Sequence, residues 1–197
     1  MTAVAPPDFT RFCAAFTAGL LAGETTSEAG ALPEQASFAA VMLAVDQTGA
    51  ALIARPTGGV RVVRADLECL LVRAWLFGIV SEVERRLRQD LTSQAAWQEL
   101  LSPERIARAR TLKAERERRG EHPNTMACLQ FGDLGQMGVR AAWWQRWLPL
   151  GSNRQAKELA KRLEGLRNDL AHGQDVIERH WDTVIALSAN LQALGGR

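Results

Sequence analysis

Apolar residues recur at helical spacing over residues 8–22, where Phe9, Phe12, Phe16, Leu20 and Leu21 follow a candidate cap at Asp8. Gly23 to Pro33 is small and polar and reads as a loop. The texture then changes. Phe38 to Val45 is a short apolar run that ends in the turn signature Asp46-Gln47-Thr48-Gly49. Ala50 to Ala54 is apolar again, Pro56-Thr57-Gly58-Gly59 turns, and Val60 to Val63 is β-branched. The pattern predicts a small antiparallel meander of up to three strands.

From Asp66 onward the periodicity is helical. Asp66 is a candidate cap for a long helix through Leu67, Leu70, Leu71, Ala74, Phe77, Val80, Val83, Leu87 and Leu91, with Gly78 as a place to bend. Ser102-Pro103-Glu104 combines a hydroxyl cap, a proline at the first helical position and an acid near the positive end of the dipole. That polar helix should stop near Gly120 and Pro123. A shorter helix should include Leu129 to Met137, and Trp143, Trp144 and Trp147 follow before Pro149 and Gly151 break the chain. Ser152 or Asn153 caps a helix running to about Ala171, which Gly173 ends. Asp175 and Glu178 resemble a capping box for a final helix. The predicted class is α+β, mostly α: a small α/β module over 1–65, then a bundle of four or five helices over 66–197.

Composition narrows the chemistry. The chain has 197 residues, 47% of them hydrophobic, enough for a sizeable core. A net charge of +2 gives no global field, so any basic surface must be local. Cys13, Cys69 and Cys128 are scattered, with neither a disulfide framework nor zinc spacing. No secretory signal is visible at the start. The longest apolar stretch, Cys69 to Val80, is too short to span a bilayer and is interrupted by Arg73. A cytoplasmic protein without membrane contact is expected. No Walker loop, dinucleotide fingerprint, nucleophile elbow or zinc motif is present, and His122 and His180 lack partners at metal spacing, so neither cofactor nor metal is expected.

The densest chemistry closes the helix that ends near Ala171. Leu159, Leu163, Leu166 and Leu170 lie at three- and four-residue steps and define its core stripe. At about 100° per residue, His172 falls about 180° from Leu163 and Asn168 about 140°. Lys157, Lys161 and Gly165 share that back face. Asn168 and His172 are four apart, so the amide can hydrogen-bond the imidazole. Arg167 sits on the shoulder, about 40° from the stripe, where its fork can swing to a phosphate. The same residues have a plainer use: a His beside a terminal Gly also serves as a C-cap, and Arg-Asn near a helix end also ties down a loop.

Arg167-Asn168-Asp169-Leu170-Ala171-His172 resembles the Arg-x4-6-His motif of the HEPN superfamily, including a polar residue directly after the Arg. The stretch Trp75 to Arg88 resembles the first HEPN helix, with an acid and a base four apart at Glu84 and Arg88. Leu129-Gln130-Phe131-Gly132-Asp133-Leu134 is similar to a mid-bundle segment of some HEPN families. The resemblance covers about residues 70 to 194. It implies a HEPN-like bundle and a homodimer in which two motif helices face each other across a cleft. It also implies a metal-independent endoribonuclease of the toxin or phage-defence kind, with an antitoxin or regulatory ligand as a further partner. Arg167, Asn168 and His172 would be its catalytic residues, with Glu84 and Arg88 in support. Other members of the superfamily act without cutting RNA, so a scaffold or nucleotide-sensing module regulating a partner is the alternative. For Glu84 and Arg88 the other reading is a helix-face ion pair.

Val45-Asp46-Gln47-Thr48-Gly49-Ala50 and Arg64-Ala65-Asp66-Leu67 resemble pieces of a CBS-type half-domain. The second turn at Pro56 to Gly59 departs from that pattern, and only one half could be present. A structural or dimer-supporting role is the other reading of this module.

Two clusters remain. Arg105, Arg108, Arg110, Lys113, Arg116, Arg118 and Arg119 crowd one helix among Glu104, Glu115, Glu117 and Glu121. They suit either an RNA backbone track, with Lys157 and Lys161 as further RNA contacts, or a solvated helix laced with ion pairs. Trp143, Trp144 and Trp147 suit packing better than base stacking.

Overall fold

The computed structural model describes residues 31–195 apart from Thr57 and Pro149, and the side chains of these residues other than Trp147 and 191–195. The helix expected over 8–22, Cys13 and most of the loop after Gly23 lie outside the described residues. Among those described, the structure is mostly helical, with seven α-helices and one two-stranded antiparallel sheet. The chain forms two compact units, Met1–Leu76 with Gly173–Arg197, and Phe77–His172. Asp66, where the sequence changes texture, falls inside the first.

The first unit opens with α1 (Phe38–Thr48), then β1 (Ala50–Ile53) and β2 (Val60–Val63). The expected third strand is this helix. Phe38, Ala39, Val41, Met42 and Val45 are buried at helical steps, so the apolar run faces one side with period 3.6 rather than 2. Ser37 Oγ accepts the Ala40 N–H at 3.2 Å, and Gly49, at φ 81°, stops the helix by donating its N–H to Val45 O. The two strands pair Ala50 with Val63 through Ile53 with Val60. Leu32 adds a single parallel bridge to Ile53.

Asp66 does not start the long helix. Its Oδ2 accepts the Val63 N–H at 2.8 Å within a 3₁₀ turn, Arg64–Leu67, and α2 begins at Leu70 and runs to Thr92. Glu68, in the link between them, caps a distant helix instead. Its Oε2 accepts the Val176 N–H at 3.0 Å and the Ile177 N–H at 2.6 Å, at the start of α7 (Ile177–Gly195). This carboxylate replaces the Asp175–Glu178 box expected there, and Arg73 holds it at 3.0 Å. α7 packs on α1 and kinks at His180, whose φ/ψ of −123°/20° is not helical. Trp181 Nε1 donates to Asp46 Oδ1 at 2.8 Å, and the Arg64 guanidinium lies 4.6 Å from the Trp181 ring.

The second unit holds α3 (Pro103–Arg118), α4 (Phe131–Arg140), α5 (Trp143–Trp147) and α6 (Asn153–Ala171) beside the later part of α2. Pro103 begins α3 as expected, but Ser102 does not cap a main-chain N–H. Its hydroxyl bonds the Glu104 carboxylate and holds that acid below its ordinary range. α3 ends at Arg118, before Gly120 at φ 82°. α4 and α6 pack closely because α4 carries Gly132 and Gly135. A Cβ on Gly135 would lie 3.2 Å from Ala160 Cβ, and one on Gly132 would lie 2.3 Å from Glu164 Oε1. The stripe that α6 buries is shifted accordingly. Ala156, Ala160, Leu163 and Leu166 are buried, whereas Leu159 and Leu170 of the expected stripe are half-buried. Small residues carry the contact where the helices come closest.

Trp143 and Trp144 are core residues, packed edge to face with centroids 5.0 Å apart. Trp143 Nε1 donates to Asp90 Oδ2 at 2.7 Å and Trp144 Nε1 to Gly135 O at 3.2 Å. No described helix is long and apolar enough to cross a membrane.

Gly138 gives a direct test of this seam. An added Cβ would sit 2.8 Å from Trp144 Nε1 and 3.0 Å from Leu87 Cδ2, both on fully buried side chains. The clash should outweigh the helix-propensity gain of roughly 1 kcal/mol for Gly→Ala. Gly138→Ala is expected to lower stability in urea unfolding by about 1 kcal/mol or more. A raised midpoint would contradict the close packing.

Candidate functional site

Every candidate residue named from the sequence lies in the second unit. α6 positions most of them. Ser152 Oγ accepts the Gln155 N–H at 3.2 Å and fixes the helix start. Leu163 and Leu166 anchor its middle. At its end the His172 N–H bonds Asn168 O at 3.0 Å, and Gly173 takes the left-handed conformation, φ 70°, that turns the chain away.

This leaves Asn168, His172, Lys157 and Lys161 exposed and Arg167 half-buried, in keeping with the helical phase. Arg167 Nη1 stands 3.5 Å from Asn168 Oδ1, so guanidinium and amide share one patch at the outer limit of a hydrogen bond. The Asn168–imidazole bond does not form; the link from Asn168 to His172 is the main-chain one. His172 sits at the C-cap with φ −101° and ψ 7°, so its side chain no longer follows the helical course of Asn168. The imidazole is left available to solvent and to a ligand.

Glu84 and Arg88 do different work. Arg88 Nη2 bonds Glu84 Oε1 at 2.7 Å and Leu129 O at 2.8 Å, and Nη1 bonds Met126 O. The pair thus fastens the 3₁₀ turn Met126–Cys128 to α2 just before α4 begins. One guanidinium satisfies two carbonyls of a segment with little regular structure of its own.

Arg105 and Arg108 belong to a cleft of about 460 Å³. Its walls come from α3 (Arg105, Arg108, Ala109, Leu112), from the start of α4 (Gln130, Gly132, Asp133) and from Glu164 of α6. Arg105 pairs with Asp133 at 2.5 Å, and Asp133 Oδ2 also accepts the Gln130 N–H at 3.1 Å. Along the rest of α3 the ion-pair reading holds in part. Lys113 pairs with Glu117, Arg116 pairs with Glu121 at 2.6 Å, and Arg110 bonds Gln98 at 3.2 Å. Arg108 forms no ion pair among the described residues and stays exposed.

Glu164 was not legible as a site residue. The signal for it was the spacing Gly132-x-x-Gly135-x-x-Gly138, which marks where another element must approach α4 closely. Among the described residues, no group of three or more His, Cys, Asp or Glu is placed to hold a metal ion. Comparison of the chain with models of protein families, with curated proteins and with solved structures returned no match.

The roles of Glu84 and Arg88 can be separated from catalysis. Arg88→Met leaves the Met126 and Leu129 carbonyls without their donor. It is expected to lower stability by about 1–3 kcal/mol in chemical unfolding. Activity lost at unchanged stability would assign Arg88 to the reaction instead.

Proposed function

We propose that the second unit is a HEPN-type endoribonuclease that needs no metal and acts as a homodimer in a toxin or phage-defence role. The reading is carried by one observation: the last turn of α6 carries a half-buried guanidinium beside an exposed amide, and an exposed imidazole follows at its C-cap. His172 caps α6 through its main-chain N–H, a duty that leaves its ring uncommitted. His172 bonds through its main chain alone. Lys157 and Lys161 on the same exposed face supply cations for the RNA backbone.

The chemistry follows from these groups. The ribose 2′-OH attacks the adjacent phosphorus and gives up its proton. The P–O5′ bond breaks, and the leaving 5′ oxygen takes a proton. His172 serves in this proton transfer. Arg167 stabilises the charge on the pentavalent phosphorane through its planar fork. Asn168 orients the reacting groups. The products are a 2′,3′-cyclic phosphate and a 5′-hydroxyl. Two α6 helices facing each other in a dimer would pool two such trios around one strand.

The test incubates the purified chain with mixed RNA in EDTA, beside His172→Ala and Arg167→Ala. Wild type is expected to produce cyclic phosphate ends, and His172→Ala to be slower by about 10²–10⁴-fold. RNA left equally intact by all three proteins, or cut equally by all three, would remove the nuclease reading.

A further inference from the structure

We infer that the cleft of the second unit receives a guanine base of the RNA, held by the Glu164 carboxylate next to the scissile phosphate. The inference rests on the nuclease reading and adds a base preference to it.

Glu164 is half-buried, lines the cleft, and makes no hydrogen bond or ion pair among the described residues. The neighbouring carboxylate, Asp133, is already engaged by Arg105 and by the Gln130 N–H. Gly132 makes the room that Glu164 occupies, since any Cβ there would fall 2.3 Å from Oε1. The chain therefore keeps a partly desolvated acceptor pair open in a cavity. Such a group gains most from a ligand that brings two N–H donors side by side.

The base edges differ in this respect. Guanine presents N1–H and N2–H₂ in parallel, the spacing of the two carboxylate oxygens. Adenine and cytosine each present one amino group beside a ring nitrogen that is an acceptor and repels the second oxygen. Uracil presents N3–H between two carbonyl oxygens, which repel both. A carboxylate at this position therefore selects guanine.

The remaining walls suit the rest of a nucleotide. Ala109 and Leu112, the latter 39% exposed, offer apolar surface to a ring face. Arg108 offers an exposed guanidinium to a phosphate oxygen. A volume of about 460 Å³ is on the scale of a single nucleotide. The location also fits. Glu164, Arg167 and Asn168 are three and four apart on α6, so they are neighbours on its surface. About one helical turn separates the base-binding carboxylate from the guanidinium proposed to meet the phosphorane.

The test is binding measured by calorimetry in EDTA, which needs no turnover. GMP, AMP, CMP and UMP are titrated into wild type, Glu164→Gln, Glu115→Gln and Gly132→Ala, with thermal melts run on each to show that it is folded. Glu115, the third carboxylate of the cleft and half-buried like Glu164, is the control. GMP is expected to bind most tightly, and Glu164→Gln to weaken it roughly tenfold or more while leaving the other nucleotides unchanged. Gly132→Ala, which displaces the carboxylate, is expected to do the same, and Glu115→Gln to do little. No GMP preference, or a preference lost only in Glu115→Gln, overturns the inference. A short RNA with one guanine should bind more tightly than GTP, because its further phosphates reach Arg167 and Lys161; the reverse order would assign the cleft to a free nucleotide and overturn the RNA subsite. RNA cut without regard to guanine by a chain that ignores GMP removes this inference and leaves the nuclease. Glu164-dependent GMP binding without any cutting removes the nuclease and leaves a guanine pocket.

Discussion

The second unit depends on how close α4 and α6 come to each other. Gly132 and Gly135 set that distance, and Gly138 admits a neighbour on another side of α4. At Gly135 the facing atom is a methyl group, so neither side can yield by rotating a side chain. At Gly132 the facing atoms are a carboxylate, and at Gly138 an indole and a leucine methyl from other elements. The same helix thus backs the Glu164 carboxylate at one end and closes the tryptophan core at the other. Moving α4 outward by the width of a methyl would open both. Core and site are in this sense one packing problem.

Long-range polar clips do what local capping would do elsewhere. Glu68 supplies acceptors to the start of α7 from more than a hundred residues away. Arg64 reaches the Ile177 and Glu178 carbonyls at 3.1 and 3.2 Å, and Arg88 holds the carbonyls ahead of α4. Each clip uses a charged side chain on main-chain groups, the stronger class of hydrogen bond.

Where local signals were sufficient, the sequence was readable. Pro103, Ser152, Gly120 and Gly173 mark helix ends that the structure has, because their conformational limits act on the chain whatever surrounds it. The faces of α6 were legible for the same reason: helical phase placed Asn168, His172, Lys157 and Lys161 outward. Phe38 to Val45 was not, since a short apolar run fits a buried strand as well as a buried helix, and the cover that decides it, α7, is remote in sequence. Asp66 and Asp175 were good local caps that lost to other partners. The buried stripe of α6 leans to its alanines, which leucine spacing does not disclose, because the glycines on α4 reward a small partner. The cleft with Glu164 needed three elements brought together, which no single stretch discloses.

The first unit is assembled from both ends of the chain, and α1 is covered by α7. A ribosome therefore delivers the 77–172 stretch complete before the segment that finishes the unit begun earlier. Until α7 emerges, Phe38, Val41, Met42 and Val45 have no lid, and the closing contact spans a loop of more than a hundred residues. Order of synthesis and order of folding run opposite ways. The part that carries the Arg167-to-His172 helix is made whole while the part that encloses it in sequence is still open.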